Sequence, residues 1–219
     1  VRVRVRVRVR VRVRVRVRDR LQHLLGVDPA ALLLGELVCE AICLGVVGVT
    51  AFILAVMGRP FICENGTVKI WHGVVKSSEN SQHIADWYTF THVTHGFLFY
   101  ALLWLLSRKV MFLRPTGVRL LFAVVLEAGW EVLENTPFII NRYREATIAL
   151  GYTGDSILNS VADIVFMSCG FLLAWRLPTW VSILIVITLE VMLLILIRDN
   201  LSLNMLMLNM LNILPVVLV

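Results

Sequence analysis

The sequence predicts an all-α protein, a polytopic transmembrane helix bundle of five spans with a tail that could add a sixth. Three observations carry that prediction. Hydrophobic residues make up 58% of the chain and mean hydropathy is +0.81, where soluble domains are about 45–50% apolar. The apolar residues fall in runs close to the roughly 20 needed to cross a bilayer. Polar or basic segments separate those runs.

Residues 1–18 are nine Val-Arg dyads. As a strand they would place valines on one face and arginines on the other, and the like charges would repel. Such a face could hold anionic lipid at about 1 kcal/mol per basic residue. The repeat, and a chain that begins with Val, read more simply as a low-complexity, non-native or disordered segment outside the fold. Without its arginines, 12 of the 21 basic residues remain against 15 acidic ones, a balance of −3. Nothing outside the repeat is basic enough to expect nucleic acid as a partner. Residues 19–30 follow as an N-terminal segment, 31–208 as the transmembrane helical domain, and 209–219 as a low-complexity apolar tail.

The spans are expected at about 31–57, 92–107, 117–134, 156–175 and 180–197. The second is short and opens on His92 and His95. Asparagines and Pro215 interrupt the tail that could form a sixth. Polar loops are expected at 58–91 and 135–155. Arg108, Lys109, Arg114 and Arg119 lie between the second and third spans and Arg176 between the fourth and fifth, which puts those ends on the cytoplasmic side.

The third span raises the functional question. Glu127, Glu131 and Glu134 stand at i, i+4 and i+7, one helical face. A carboxylate within a membrane helix costs about 2.5–3.5 kcal/mol on insertion scales. His92 and His95 share a face of the second span, and Asp155, Asn159 and Asp163 recur every four residues into the fourth. Gly129 and Gly154 are small enough for close helix contacts. Polar stripes at membrane depth face a bundle interior or a wet cavity, so these three should meet.

Imidazole with several carboxylates suits a divalent metal, with His95, Glu127, Glu131, Asp155 and Asp163 as ligands. A bound metal would activate water against an ester or phosphate of a lipid-type substrate. Alternatively, crowded carboxylates raise one another's pKa and make Glu131 or Glu127 an acid–base catalyst. Arg142 and Arg144 could clamp an anionic head group. Against this stand simpler roles. Glu134 could end its helix in the interface, Asp155 could cap the fourth span, and the histidines could be packed side chains. The loop residues Ser77 to His83 could line a substrate mouth, and Trp71, Trp87 and Tyr88 fit an interfacial belt. Cys39, Cys43 and Cys169 read as small buried residues, and Cys63 has no partner at metal-site spacing. Glu36, Glu40 and Glu190 belong to no evident polar cluster and carry no functional expectation.

The phrases "KIWHGVVKSSENSQHIADWYTFTHVTHGFLFYALLWLL", "EAGWEVLENTPFIINRYREATIALGYTGDSILNSVAD" and "RDNLSLN" resemble an uncharacterised family of alphaproteobacterial multi-pass inner-membrane proteins, over roughly residues 45–208. The resemblance implies a location in the bacterial plasma membrane and brings no activity with it. Where that family tends to carry a second Cys and a basic residue, this chain reads "CENG" with Glu64 and Asn65. The order His95, Glu127, Glu131, Asp155, Asn159, Asp163 is also similar in pattern to VanZ-like membrane proteins, which would imply chemistry near cell-envelope lipid. An enzyme, a proton- or ion-coupled transporter and a structural membrane partner all remain compatible with these residues.

Overall fold

In the computed structural model, the described residues are 29–146 and 152–206, with the side chains of 29–33 and 145–146 not described. The Val-Arg repeat, most of the N-terminal segment and residues 207–219 of the expected sixth span lie outside them. The regular elements among the described residues are helices, with no β-strand beyond one isolated bridge, His72 to Asp86.

The helices are α1 (Pro29–Val56), α2 (Thr89–Ser107), α3 (Thr116–Glu134), α4 (Pro137–Ala146), α5 (Ile157–Arg176) and α6 (Thr179–Ile197), with a 3-10 turn at Met111–Leu113. A last helical stretch begins at 201–206. By length and composition, α1 (from Leu34), α2, α5 and α6 can each cross a membrane. The expected third span is present as α3. Arg119, Glu127, Glu131 and Glu134 keep it outside that apolar set.

The chain divides into two compact units, Val1–Ala41 and Ile42–Val219. In the first, the described residues are the opening turns of α1, where Glu36 and Glu40 are exposed. In the second, a core of Leu103, Ala123, Val124, Ala128, Ile164, Met167 and Phe171 joins α2, α3 and α5, with Cys43, Val46 and Val47 against it. Helix α6 keeps most of its apolar surface outward: Trp180 is 68% and Ile195 71% exposed. A helix apolar all round belongs against lipid rather than water.

The tightest helix contact is not at the expected glycine. Gly129 has nothing within 4 Å of where a Cβ would stand. Instead, a Cβ on Gly96 of α2 would lie 2.1 Å from the Met167 carbonyl oxygen, and one on Gly170 of α5 would lie 2.2 Å from that of Val93. Two glycines let the α2 and α5 backbones touch, as small residues do between membrane helices. Gly154 is needed for another reason. Its φ of +93° suits glycine, and the Arg59 guanidinium occupies the space a side chain would take.

Several local expectations are corrected. Residues 135–155 are not all loop. Pro137 at the first helical position and Thr136 just before it, whose Oγ1 accepts from Ile139 N at 3.5 Å, start α4. That helix is too short and polar to register as a span. Helix α5 is capped by Ser156, not Asp155: Ser156 Oγ accepts from Asn159 N at 3.1 Å. Arg119 is no free loop charge. It is buried and donates to the Arg114 and Leu113 carbonyls and to Thr116 Oγ1 and Ser107 Oγ, which removes it from the orientation count. Cys169 is exposed on α5, Cys39 and Cys43 are partly exposed, and Cys63 is buried. Glu190 does have partners. After α6 the chain reverses at Arg198 (φ 57°), and Glu190 accepts from Leu201 N, Ser202 N and Ser202 Oγ at 3.2, 3.1 and 2.6 Å.

Candidate metal centre

The loop before α2 is fixed by its own polar groups. Asp86 accepts from Ser81 N and Tyr88 N, each at 2.8 Å, and its N–H donates to Thr89 Oγ1 at 3.0 Å. These bonds tie the loop to the first residue of α2, whose own N-cap, Tyr88, makes no side-chain capping bond. Burial pushes the Asp86 carboxyl above its ordinary range, and those N–H groups pull it back. Glu79 binds Lys69 and accepts from His83 Nε2 at 3.0 Å. Those hydrogen bonds hold Glu79 down to about 2.

Cys63, Glu79 and His83 also bring ligand atoms within 4.8 Å of one another, a partnership spacing did not foresee. Their hydrogen bonds argue against a cation there. His83 Nδ1 accepts the Lys69 backbone N–H at 3.3 Å, so Nε2 carries the proton it gives Glu79. The imidazole has no lone pair left, and an ammonium already sits on Glu79. The cluster fastens the loop.

The three polar stripes do meet. From α2, His92 Nδ1 donates to Glu127 Oε1 of α3 at 2.6 Å, and His95 Nδ1 reaches Glu127 Oε2 at 3.0 Å. One carboxylate therefore orients both rings and leaves each Nε2 to face elsewhere. His92 Nε2 lies 3.7 Å from Asp163 Oδ2 of α5, and His92 Nδ1 lies 3.5 Å from Glu131 Oε1. Glu127, Glu131 and Asp163 are 0%, 1% and 4% exposed. Neither oxygen of Glu131, nor Oδ1 of Asp163, has a hydrogen-bond partner among the described residues. Buried carboxylate oxygens without partners are costly.

Asp155 is held differently. Its Oδ1 accepts from Tyr152 OH at 2.9 Å and its Oδ2 from Asn135 Nδ2 at 2.8 Å, while its N–H donates to Asn135 Oδ1 at 2.8 Å. Burial pushes the Asp155 carboxyl up, and the Tyr152 and Asn135 donors oppose that. The Tyr152 and Tyr143 hydroxyls are likewise pushed up, first by burial and then by Asp155 and Glu134. Asn159 Nδ2 donates to the His83 carbonyl at 2.9 Å, tying α5 to the loop before α2.

A cavity of about 40 Å³ opens beside these groups, lined by His92, His95, Glu134, Asp155, Asn159 and Asp163 among others. That is above the roughly 10–15 Å³ needed to admit a water. Trp130, Tyr88, Tyr143 and Tyr152 line it, as do Leu201, Asn204 and Met205 from the segment after α6. Tyr88 OH donates to Asp199 Oδ2 at 3.0 Å, which ties that segment down.

Among the expected site residues, His95, Glu127, Glu131, Asp155 and Asp163 are thus brought together. Arg142 and Arg144 are not. Arg142 lies over the Phe138 ring at 4.9 Å, and exposed Arg144 donates to the Tyr152 carbonyl at 2.6 Å. No Lys or Arg lines the cavity among the described residues. Sequence reasoning missed Asn135 and the three tyrosines: Asn135 and Tyr88 bond residues far along the chain, and Tyr152 bonds Asp155 only three residues away. His92, given less weight than His95, is the ring nearest three carboxylates.

Residues 54–217 match the family described as "Protein of unknown function (DUF2585)". A UPF0314 protein of Sinorhizobium fredii is 57% identical over 166 residues, which cover 76% of this chain and 82% of the relative. UPF0314 proteins of Sphingopyxis alaskensis and Paracoccus denitrificans are each 53% identical, over 74% of this chain and 84% and 82% of their own lengths. No solved structure matches. The chain belongs to this family, shared across alphaproteobacteria.

Proposed function

We propose that this chain is a multi-pass protein of the bacterial inner membrane that holds a divalent cation between α2, α3 and α5 and uses it to hydrolyse a lipid-type substrate. The observation that carries this reading is the state of Glu131. It is buried, neither oxygen has a hydrogen-bond partner among the described residues, and the nearby ring nitrogen, His92 Nδ1, is already committed to Glu127.

His92, Glu131 and Asp163 each bring one ligand atom within 4.8 Å of the others. His92 Nε2 and Asp163 Oδ2 are 3.7 Å apart, less than the roughly 4.2 Å that two bonds of about 2.1 Å can span. Glu127 then plays the part of a carboxylate behind a ligating histidine, fixing tautomer and ring orientation. The apolar faces of α1 and α6 support membrane residence, and the bacterial relatives support the inner membrane.

A bound cation would lower the pKa of a water in the cavity. Held by His92, Glu131 and Asp163, it would supply an activated water for attack on a carbonyl carbon or phosphorus, and a carboxyl group of the site would carry that water's proton to the leaving oxygen as its bond breaks. With no arginine at the cavity, the cation itself, not Arg142 or Arg144, would meet the substrate's anionic oxygen.

A second reading rests on the lining. Carboxylates and no Lys or Arg also suit a cation path, so ion- or proton-coupled transport is the competing function. The experiment gives purified protein a labelled lipid extract in detergent, with and without a chelator, and measures Mn²⁺ entry into proteoliposomes. Chelator-sensitive turnover in detergent supports hydrolysis. Flux without turnover supports transport, and neither from folded, metal-loaded protein overturns both.

A further inference from the structure

We infer that the site holds two divalent cations, bridged by Glu131. The inference deepens the single-cation reading above and rests on it. A second group of ligands, Glu131, Glu134 and Asp155, also brings one oxygen from each residue within 4.8 Å of the others. Glu131 belongs to both groups. A carboxylate has two oxygens, and both of those on Glu131 are buried and without hydrogen-bond partners. One oxygen can serve the His92–Asp163 side and the other the Glu134–Asp155 side.

Charge makes the same point. Glu127, Glu131, Glu134, Asp155 and Asp163 carry −5 when ionised, and the cavity lining offers no Lys or Arg. One divalent cation with neutral imidazoles leaves −3. Two leave −1, close to neutrality for groups that are largely buried. Asp155 is already positioned for this by Tyr152 and Asn135, whose donors fix its direction as outer hydrogen bonds do for a ligating carboxylate.

The two sites differ in chemistry. The first offers an imidazole with two carboxylates, and the second offers carboxylate oxygen alone, the donor set of Mn²⁺ or Mg²⁺. Two ions sharing a bridging carboxylate stand about 3.5–4 Å apart, close enough for their electron spins to couple.

The test uses the full chain in detergent, stripped with a chelator, reloaded with Mn²⁺ and desalted. Bound Mn²⁺ is counted and its electron paramagnetic resonance recorded. Two Mn²⁺ per chain with a spin-coupled spectrum is the expected result. Glu134→Gln should then retain one Mn²⁺ with an isolated six-line spectrum, and Glu131→Gln should lose both. One uncoupled Mn²⁺ in the unaltered protein would overturn the two-ion site and leave the single-ion reading standing. Two uncoupled ions would also overturn it, and none would overturn both. The wild-type count and spectrum decide even if a variant fails to fold.

Discussion

His92 and His95 both turn Nδ1 toward the carboxylate of Glu127, at 2.6 and 3.0 Å. One side chain on α3 therefore sets the tautomer of two rings on α2. Replacing Glu127 with Gln leaves one acceptor oxygen where two rings compete, and offers an N–H where a lone pair was needed. Metal affinity should fall about 10–100-fold without being abolished, the usual cost of losing such an orienting partner. Glu131→Gln, which removes a ligand, should remove binding altogether. Titration of both variants with Mn²⁺ checks the contrast.

The Gly96 and Gly170 contact predicts a second contrast. Gly96→Ala puts a methyl group 2.1 Å from the Met167 carbonyl, and backbone cannot step aside cheaply. Overpacking of this kind costs about 1–3 kcal/mol, and the separation should also loosen His92 from Asp163. Gly129→Ala meets nothing within 4 Å and should be neutral, or stabilising by up to about 1 kcal/mol from helix propensity. Thermal unfolding in detergent measures both.

Glu79 sets an acid limit on the loop before α2. Its pKa is held at about 2 against an ordinary 4.5 by Lys69 and His83. A depressed folded-state value stabilises the fold above pH 4.5, and that contribution is lost as pH falls from 4.5 toward 2. Glu79→Gln should be less stable than the unaltered protein at pH 7, and the gap should narrow as pH falls below 4.5, closing only near pH 2. Melting temperatures across that range test it. An unchanged gap at pH 3 would contradict the assignment.

Tyr152→Phe removes the donor to Asp155 Oδ1 and leaves a buried oxygen unpaired. Such a loss costs about 1–3 kcal/mol. The melting temperature should drop, and added Mn²⁺ should restore part of the loss if Asp155 is a ligand.

What the sequence disclosed of this site was whatever a single helix determines. The i, i+4, i+7 acidic stripe on α3 and the four-residue spacing from Asp155 to Asp163 pointed to one meeting place, and the structure brings those groups together with both histidines. The apolar runs located all five long helices for the same reason. Pairings between elements were not legible. Nothing near Glu190 in the sequence announces Ser202, because the turn at Arg198 makes that contact. The choice of Gly96 over Gly129 depends on which helix faces show each other their backbones. The clasp of Asn135 on Asp155 joins residues twenty apart in the chain, which no local spacing signals. Helix α4 itself carried a start signal in Thr136 and Pro137, but hydropathy hides so short a helix.

The central claim is a cation held by His92, Glu131 and Asp163, and its most direct measurement is the metal content of the purified, detergent-solubilised protein prepared in metal-replete medium. At least one divalent ion per chain, lost in Glu131→Gln and His92→Ala while helical content is kept, is the predicted result. Well-folded protein with no bound metal, or metal unaffected by either substitution, would contradict it.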